Sequence, residues 1–229
     1  MVDIALIILL LLGGFIGAKR GFTQQLVHTV GTIAIIVLAF MFKAPVANFL
    51  YKTMPFFNFS GRLEGITSLN LLLYALLSFL LVFSILSVIL AILKGTTKVF
   101  EKMLKATIIL GIPSKILGGI VGVVNNAIYI FIAIYFLSLP MLNFTPVTDS
   151  KLANAMLNNT PILSNVCSKT LEVFVDIDKL VEQYKNETDV TYLNQATLQV
   201  LVDKKITSAS TANELIASGK LTGVRPVEQ

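Results

Sequence analysis

The chain has 229 residues, of which 55% are hydrophobic and only 14% are charged, and its mean hydropathy is +0.81. A soluble globular protein carries about a quarter charged residues, so this chain has too few polar side chains to cover a core in water. One Cys and one His leave no basis for a disulfide framework, a zinc cluster or a Cys/His catalytic pair. The composition therefore indicates a membrane protein, and it predicts neither a metal nor a cofactor.

Charge divides the chain into two parts. Residues 1–142 hold ten Lys and Arg against three acids, a net charge of +7, whereas residues 143–229 hold eight against ten, a net charge of −2. The basic residues of the first part flank apolar runs and form no continuous basic surface, which argues against nucleic-acid binding. We therefore predict a membrane domain over residues 1–142 and a polar domain over residues 143–229.

Four apolar runs in the first part are candidate transmembrane helices, over residues 4–18, 22–42, 69–93 and 116–139. The first run is the shortest, at roughly 22 Å against a hydrocarbon core of about 30 Å. Asp3 precedes it and Arg20 follows it, the reverse of the charge order in a secretory signal, so we predict a retained helix. The expected fold is all-α, a four-helix integral membrane bundle with a small helical C-terminal domain.

Basic residues also predict the orientation in the membrane. The connections after the first and third runs carry seven of them: Lys19, Arg20, Lys94, Lys98, Lys102, Lys105 and Lys115. The connection over residues 43–68 carries only three. Because basic residues concentrate in cytoplasmic loops, we predict that the connections after the first and third runs are cytoplasmic and that both termini, with the polar domain, lie outside. If the first run only dips into the interface, the N-terminus moves inside and the rest is unchanged.

The long connection over residues 94–115 has apolar residues at helical spacing with lysines between them. This pattern predicts an amphipathic helix, for which three interpretations stay open. It is a solvated connector that sets the topology, a helix docked on the anionic inner leaflet, or a binding site for a cytoplasmic partner.

Glycines recur four residues apart in the first and fourth runs, at Gly13, Gly17 and Gly21 and at Gly118 and Gly122. Small residues at this spacing share one helix face and let a neighbouring backbone approach closely. We expect packing within the bundle or in a homo-oligomer, with a glycine-lined pore as the alternative. No acid lies deep within a run, which disfavours ion-coupled transport.

The polar domain is predicted to contain three helices. Thr160 and Pro161 begin the first, whose apolar stripe continues to Tyr184; residues 193–202 form the second; and Thr211 with Glu214 forms a capping box for a third. Gly219 is placed to end the third helix. The carboxylates of Asp176, Asp178 and Glu182 are expected on a solvated face. With no nucleophile beside a base and no phosphate loop, this part is predicted to be an extracytoplasmic interaction module.

Two motifs carry a family resemblance. Asp3 begins the first apolar run, which ends in the element Gly17-x-x-Arg20-Gly21. A Gly, a basic residue and a glycine-rich helix start precede the last run, as Gly111, Lys115, Gly118, Gly119 and Gly122. In this order the motifs resemble the colicin V production protein (CvpA) family of bacterial inner-membrane proteins, over about residues 1–142. The family often has Asp-Arg where this chain has Ser114 and Lys115.

The resemblance implies an integral membrane protein of the bacterial inner membrane that supports toxin or bacteriocin production or export and envelope homeostasis, without established catalytic chemistry. Our hypothesis is therefore a protein that is not an enzyme and that acts through contacts with a membrane-protein partner or in a homo-oligomer. A small oligomeric channel or export component is the alternative. We further hypothesise that Arg20 anchors its turn on a lipid phosphate or on helix-end carbonyls.

Overall fold

The structure is a computed structural model that describes residues 2–96, 111–139, 144–160, 163–184 and 190–228. In these ranges the chain is helical and has no strand, so the predicted all-α class is confirmed. The α-helices of the described ranges are α1 (Val2–Arg20), α2 (Phe22–Thr53), α3 (Leu69–Thr96), α4 (Gly111–Leu137), α5 (Thr145–Thr148), α6 (Lys151–Asn159), α7 (Leu163–Gln183), α8 (Val190–Asp203) and α9 (Ala209–Ala217).

Helices α1 to α4 are each long and apolar enough to cross a membrane, so the four predicted apolar runs are confirmed as helices that are candidate spans. The bounds differ from the prediction by more than three residues at two places. Helix α2 continues past residue 42 to Thr53 with Pro45 inside it, because Ala47, Leu50 and Tyr51 beyond the proline are buried and their packing offsets the one lost backbone donor. Helix α4 begins at Gly111, before residue 116. Most of the predicted amphipathic connector, residues 97–110, lies outside the described residues.

The chain forms two compact units, and the first comprises Met1–Ile36 and Leu86–Cys167. In this unit α1 and α4 pack against each other as an antiparallel pair, since Gly17 lies at Gly118 while the earlier Gly13 lies at the later Asn126. Helix α6 packs against both members of the pair. The segment just after the last span is therefore part of the same packed body as the first span.

The second unit comprises Val37–Ile85 and Ser168–Gln229. Among its fully buried side chains are Leu69, Leu71 and Leu72 at the start of α3 and Leu198, Leu201 and Leu215 in the tail helices. The Tyr51 hydroxyl of α2, also buried, donates a hydrogen bond to the Leu71 carbonyl at 3.1 Å. A sequence boundary at residue 142 follows the composition and stays a prediction, whereas the packing divides the chain between Cys167 and Ser168.

The three predicted tail helices are present as α7, α8 and α9, and they are preceded by α5 and α6, which were not predicted. The first runs over Leu163–Gln183, and Pro161 of the predicted start lies outside the described residues. The predicted capping box of the last helix is wrong. Ser208 is the N-cap residue of α9, and its hydroxyl accepts the Thr211 N–H, because Ser208 offers the same capping oxygen one turn earlier. Gly219 ends this helix with a positive φ of 72°, as predicted.

Candidate functional site

The first unit is built around a contact that we call the glycine seam, formed by Gly13 and Gly17 of α1 and Gly118 and Gly122 of α4. A Cβ atom added to Gly17 would lie 2.7 Å from the Cα of Gly122, and one added to Gly122 would lie 2.8 Å from the Cα of Gly17. Side chains do not approach backbone this closely, so only glycine fits at these positions. The two helices therefore meet backbone against backbone, which is the closest packing available to a pair of spans.

Gly119 lies beside the seam and is less restricted. A Cβ added there would lie 3.4 Å from the Gly14 carbonyl oxygen and 3.6 Å from the Ala18 Cβ, which is ordinary van der Waals contact. The glycines of the last-span motif thus differ in what they do. Gly118 and Gly122 set the helix separation, whereas Gly119 occupies a place where a methyl group fits.

The turn between α1 and α2 closes one end of the seam. Gly21 adopts a φ of 79°, and its N–H donates to the Gly17 carbonyl at 2.9 Å, which ends α1. The next N–H, of Phe22, donates to the hydroxyl of buried Ser114 in α4 at 3.1 Å. Ser114 therefore caps the start of α2 from another helix.

Arg20 is exposed at this turn and is held by one described polar contact. Its guanidinium Nη1 donates to the Gln25 Oε1 at 3.3 Å, and Gln25 is only 2% exposed. The neighbouring Lys19 has its Nζ 4.3 Å from the centroid of the Phe15 ring. Exposed Lys115 follows Ser114 in α4. The turn thus carries three cations, of which Arg20 alone is oriented by a buried amide.

Asp3 closes the other end of the α1–α4 pair. Its carboxylate accepts hydrogen bonds from the Ser150 hydroxyl and from the Leu152 N–H, the latter at 3.0 Å. Ser150 is the N-cap residue of α6 and accepts the Ala153 N–H at 3.0 Å. Because a negative charge at a helix N-terminus is favourable, the acid that opens the first span stabilises the first turn of the helix that follows the last span.

Polar side chains inside the spans link helices to one another. The Thr32 hydroxyl of α2 and the Tyr129 hydroxyl of α4 lie 3.1 Å apart. The Asn126 amide of α4 donates to the Leu9 carbonyl of α1. Such contacts are worth on the order of 1 kcal/mol each in a membrane, and these ones reinforce the same bundle that the seam defines.

In the second unit, the chain just before α3 is bound to the tail through Asn194. The Ser68 N–H donates to the Asn194 Oδ1 at 2.9 Å, and the Ser68 hydroxyl donates to the Asn194 carbonyl at 3.0 Å. The Asn194 amide nitrogen donates to the Thr222 carbonyl and the Thr67 hydroxyl, each at 2.9 Å. With Asn194 only 3% exposed, this side chain fixes two loops against α8.

Lys220 makes a second attachment, at the end of α2. Its ammonium donates to the carbonyls of Tyr51, Lys52 and Met54 at 2.8, 2.6 and 2.9 Å. A cation at a helix C-terminus satisfies the last carbonyls and opposes the negative end of the helix dipole. Next to it, the Lys52 ammonium lies 2.8 Å from the Glu214 carboxylate. The tail therefore caps the second span.

The tail carboxylates form ion pairs on the surface. Arg62 lies 3.1 Å from Glu182 and 3.5 Å from Asp178. Lys204 pairs with Glu172 and Asp176, and the hydrogen bonds to these two carboxylates raise the pKa of Lys204. Across the described ranges, no three His, Cys, Asp or Glu side chains come together in a group that could hold a metal ion.

Comparison with known proteins identifies relatives. Residues 2–161 match the model of a protein family described as colicin V production protein. The chain is 29% identical to an uncharacterized transmembrane protein, YshB, of Bacillus subtilis (strain 168), in an alignment 177 positions long that covers 72% of this chain and 94% of the relative. No solved structure matches the chain. The family match includes the glycine seam, the Arg20–Gly21 turn and both partners of the Asp3–Ser150 contact.

Proposed function

Since the chain belongs to the colicin V production protein family, we propose that it supports toxin or bacteriocin production or export and envelope homeostasis from the bacterial inner membrane. It does so as a multi-pass protein without catalytic activity, through contacts with a membrane-protein partner. The motif residues carry this proposal, because Gly17, Gly118 and Gly122 contact one another's backbone and Asp3 caps α6. The motifs build a rigid helix pair, and the surfaces of that pair are left to bind.

The contacts of the two units support a tail on the same side of the membrane as the N-terminus. In the first unit, Asp3 at the start of α1 binds Ser150, which follows α4. In the second unit, the α2–α3 connection binds the tail through Ser68 and Asn194. Both contacts are expected when all four helices cross the bilayer, so we propose that the short first helix spans. With the basic connections inside, the tail is extracytoplasmic.

An oligomeric channel is the alternative function. In its simplest form it would assemble through the glycine faces of α1 and α4. Within one chain, the glycine face of α1 already packs against the glycine face of α4, since Gly17 and Gly122 are in backbone contact. A channel would have to use other helix faces, and this observation favours a protein that acts through contacts with a partner.

Deletion of the gene in its host, with toxin export and sensitivity to envelope stress as the two measurements, tests the proposal. We expect both to change, wild-type protein to restore them, Gly17→Leu to fail, and Gly119→Ala to restore them as wild type does. Wild-type behaviour of the deletion strain in both measurements would overturn the proposal. Conductance measurements on purified protein in planar bilayers distinguish the two proposals. We expect no conductance at any voltage from a protein that acts through partner contacts, and a steady conductance from a channel.

A further inference from the structure

We propose that the Arg20 turn is a binding site for the phosphate of an anionic phospholipid headgroup. The site comprises Arg20 and Lys115, with Gln25 as the residue that positions the guanidinium. It goes beyond the proposed function and does not depend on it, because a lipid can bind here whatever the protein exports or stabilises.

The first argument is charge. Among the described residues, no carboxylate forms an ion pair with Lys19, Arg20 or Lys115. Two of these residues end α1, and the third lies in the first turns of α4, where Ser114 contacts Phe22 beyond the turn. The close approach of Gly118 to Gly21 brings these helix ends together. Within the described part of the chain, the turn is thus a local excess of positive charge that no carboxylate neutralises.

The second argument is the orientation of Arg20. Its Nη1 donates to the Oε1 of Gln25 at 3.3 Å, and the buried Gln25 cannot follow a moving side chain. A guanidinium has five N–H donors in a planar fork, so one contact with Gln25 leaves donors for a phosphate, which arginine binds in a bidentate manner. Lys19 is less suited, since its ammonium lies over the Phe15 ring.

The third argument is position, which identifies the occupant as a lipid. The turn joins two spans and adjoins the start of a third, so it lies at the depth of the headgroups. On the cytoplasmic leaflet, where the positive-inside rule places this turn, anionic headgroups attract basic residues near the surface. A phosphate at this depth is therefore supplied by the membrane itself.

Native mass spectrometry of the purified full chain tests the site, with phosphatidylglycerol and phosphatidylcholine titrated in separate arms. We expect tighter binding of phosphatidylglycerol, a roughly five-fold weaker affinity in Arg20→Gln, and a smaller loss in Arg20→Lys, which keeps the charge without the fork. Lys151→Gln removes the same charge from exposed α6, at the Asp3 end of the pair, and is expected to bind as wild type does.

Equal affinity for the two lipids, or an Arg20→Gln affinity equal to that of wild type, overturns the proposal. An excess of inorganic phosphate is the second arm: displacement of the lipid at the concentration of a simple phosphate site would show that the turn binds free phosphate and would overturn the lipid assignment. Because Arg20 is exposed, its variants are expected to keep the wild-type melting temperature. A Gln25→Leu variant that weakens phosphatidylglycerol binding while Arg20 is present supports the positioning role.

Discussion

A methyl group on Gly17 would lie 2.7 Å from the Cα of Gly122, and the Gly118 carbonyl would be closer still. Neither neighbour is a side chain that can rotate away, because both belong to helix backbone. Gly17 is thus fixed as glycine by a residue 105 positions later in the chain.

Gly17→Ala is expected to destabilise the protein by about 1–3 kcal/mol, the usual cost of forcing extra atoms into a packed interior. Gly119→Ala is the matched control, since a methyl group there meets only ordinary contacts. Alanine is favoured over glycine in a helix by about 1 kcal/mol, so this variant is expected to be at least as stable as wild type. Reversible unfolding in detergent measures both. Equal losses of stability in the two variants would contradict the backbone contact that we assign to Gly17 in the glycine seam.

Ser150→Ala is expected to lower stability by about 1 kcal/mol through loss of the α6 cap. Asp3→Ala is expected to act in the same direction, because the carboxylate accepts from the same hydroxyl and from the Leu152 N–H. The double variant should lose less than the sum of the two single losses, as judged by melting temperature. Strict additivity would show that the two side chains act separately. Asp149→Ala, an exposed acid adjoining Ser150, is the control.

Asn194→Ala is expected to cost about 2–3 kcal/mol, because it leaves the buried Ser68 N–H without its acceptor. Gln199→Ala on the same helix removes an amide of similar size from an exposed position and is expected to change stability by less than about 0.5 kcal/mol. Chemical unfolding that follows the tail helices measures the difference. A loss of stability in Asn194→Ala as small as that in Gln199→Ala would mean that the loop is held by apolar packing alone.

Lys220→Met is expected to loosen the end of α2, since three carbonyls lose their common donor. The half-exposed position limits the loss to about 1 kcal/mol. Hydrogen exchange should accelerate in the last turn of α2 and in the segment around Lys220. Lys179→Met, whose ammonium pairs only with Asp176 among the described contacts, is expected to leave both segments unchanged. Unchanged exchange in Lys220→Met would contradict its capping role.

Labelling of single cysteines with an impermeant thiol reagent in intact cells measures the orientation. In a Cys167→Ser background, Asn158→Cys in α6 and Asn58→Cys in the α2–α3 connection, both at exposed positions, are expected to react. Lys19→Cys at the α1–α2 turn is expected to react only after lysis. The opposite pattern would place the tail in the cytoplasm, and reaction of Asn158→Cys without Asn58→Cys would rule out four crossings.

Much of the fold could be predicted from the sequence, because length and apolar composition define a span locally. The same is true of the helix end at Gly219 and of the tail stripe. Partners were not predictable in this way. Glycines four residues apart indicate a close helix contact but do not say with which helix, and nothing near Gly17 in the sequence points to Gly122.

The polar attachments were missed for the same reason. Asp3 and Ser150 are separated by most of the membrane domain, and a serine before a polar helix is only a weak capping signal. Lys220 has no local pattern at all, since its acceptors are backbone carbonyls at the end of α2. At α9 only Thr211 was predicted as the cap, whereas Ser208 caps the helix and Glu214 pairs with Lys52 instead of completing a capping box.

The antiparallel pairing of the first and last spans also means that the two paired helices are synthesised at different times. Gly17 and Gly118 are 101 positions apart, and ribosomes add about 5–20 residues per second. The shortest span therefore enters the membrane roughly 5–20 s before its backbone partner is made. Throughout that interval its glycine face meets lipid or the insertion machinery, so the bundle is completed only when the last helix arrives.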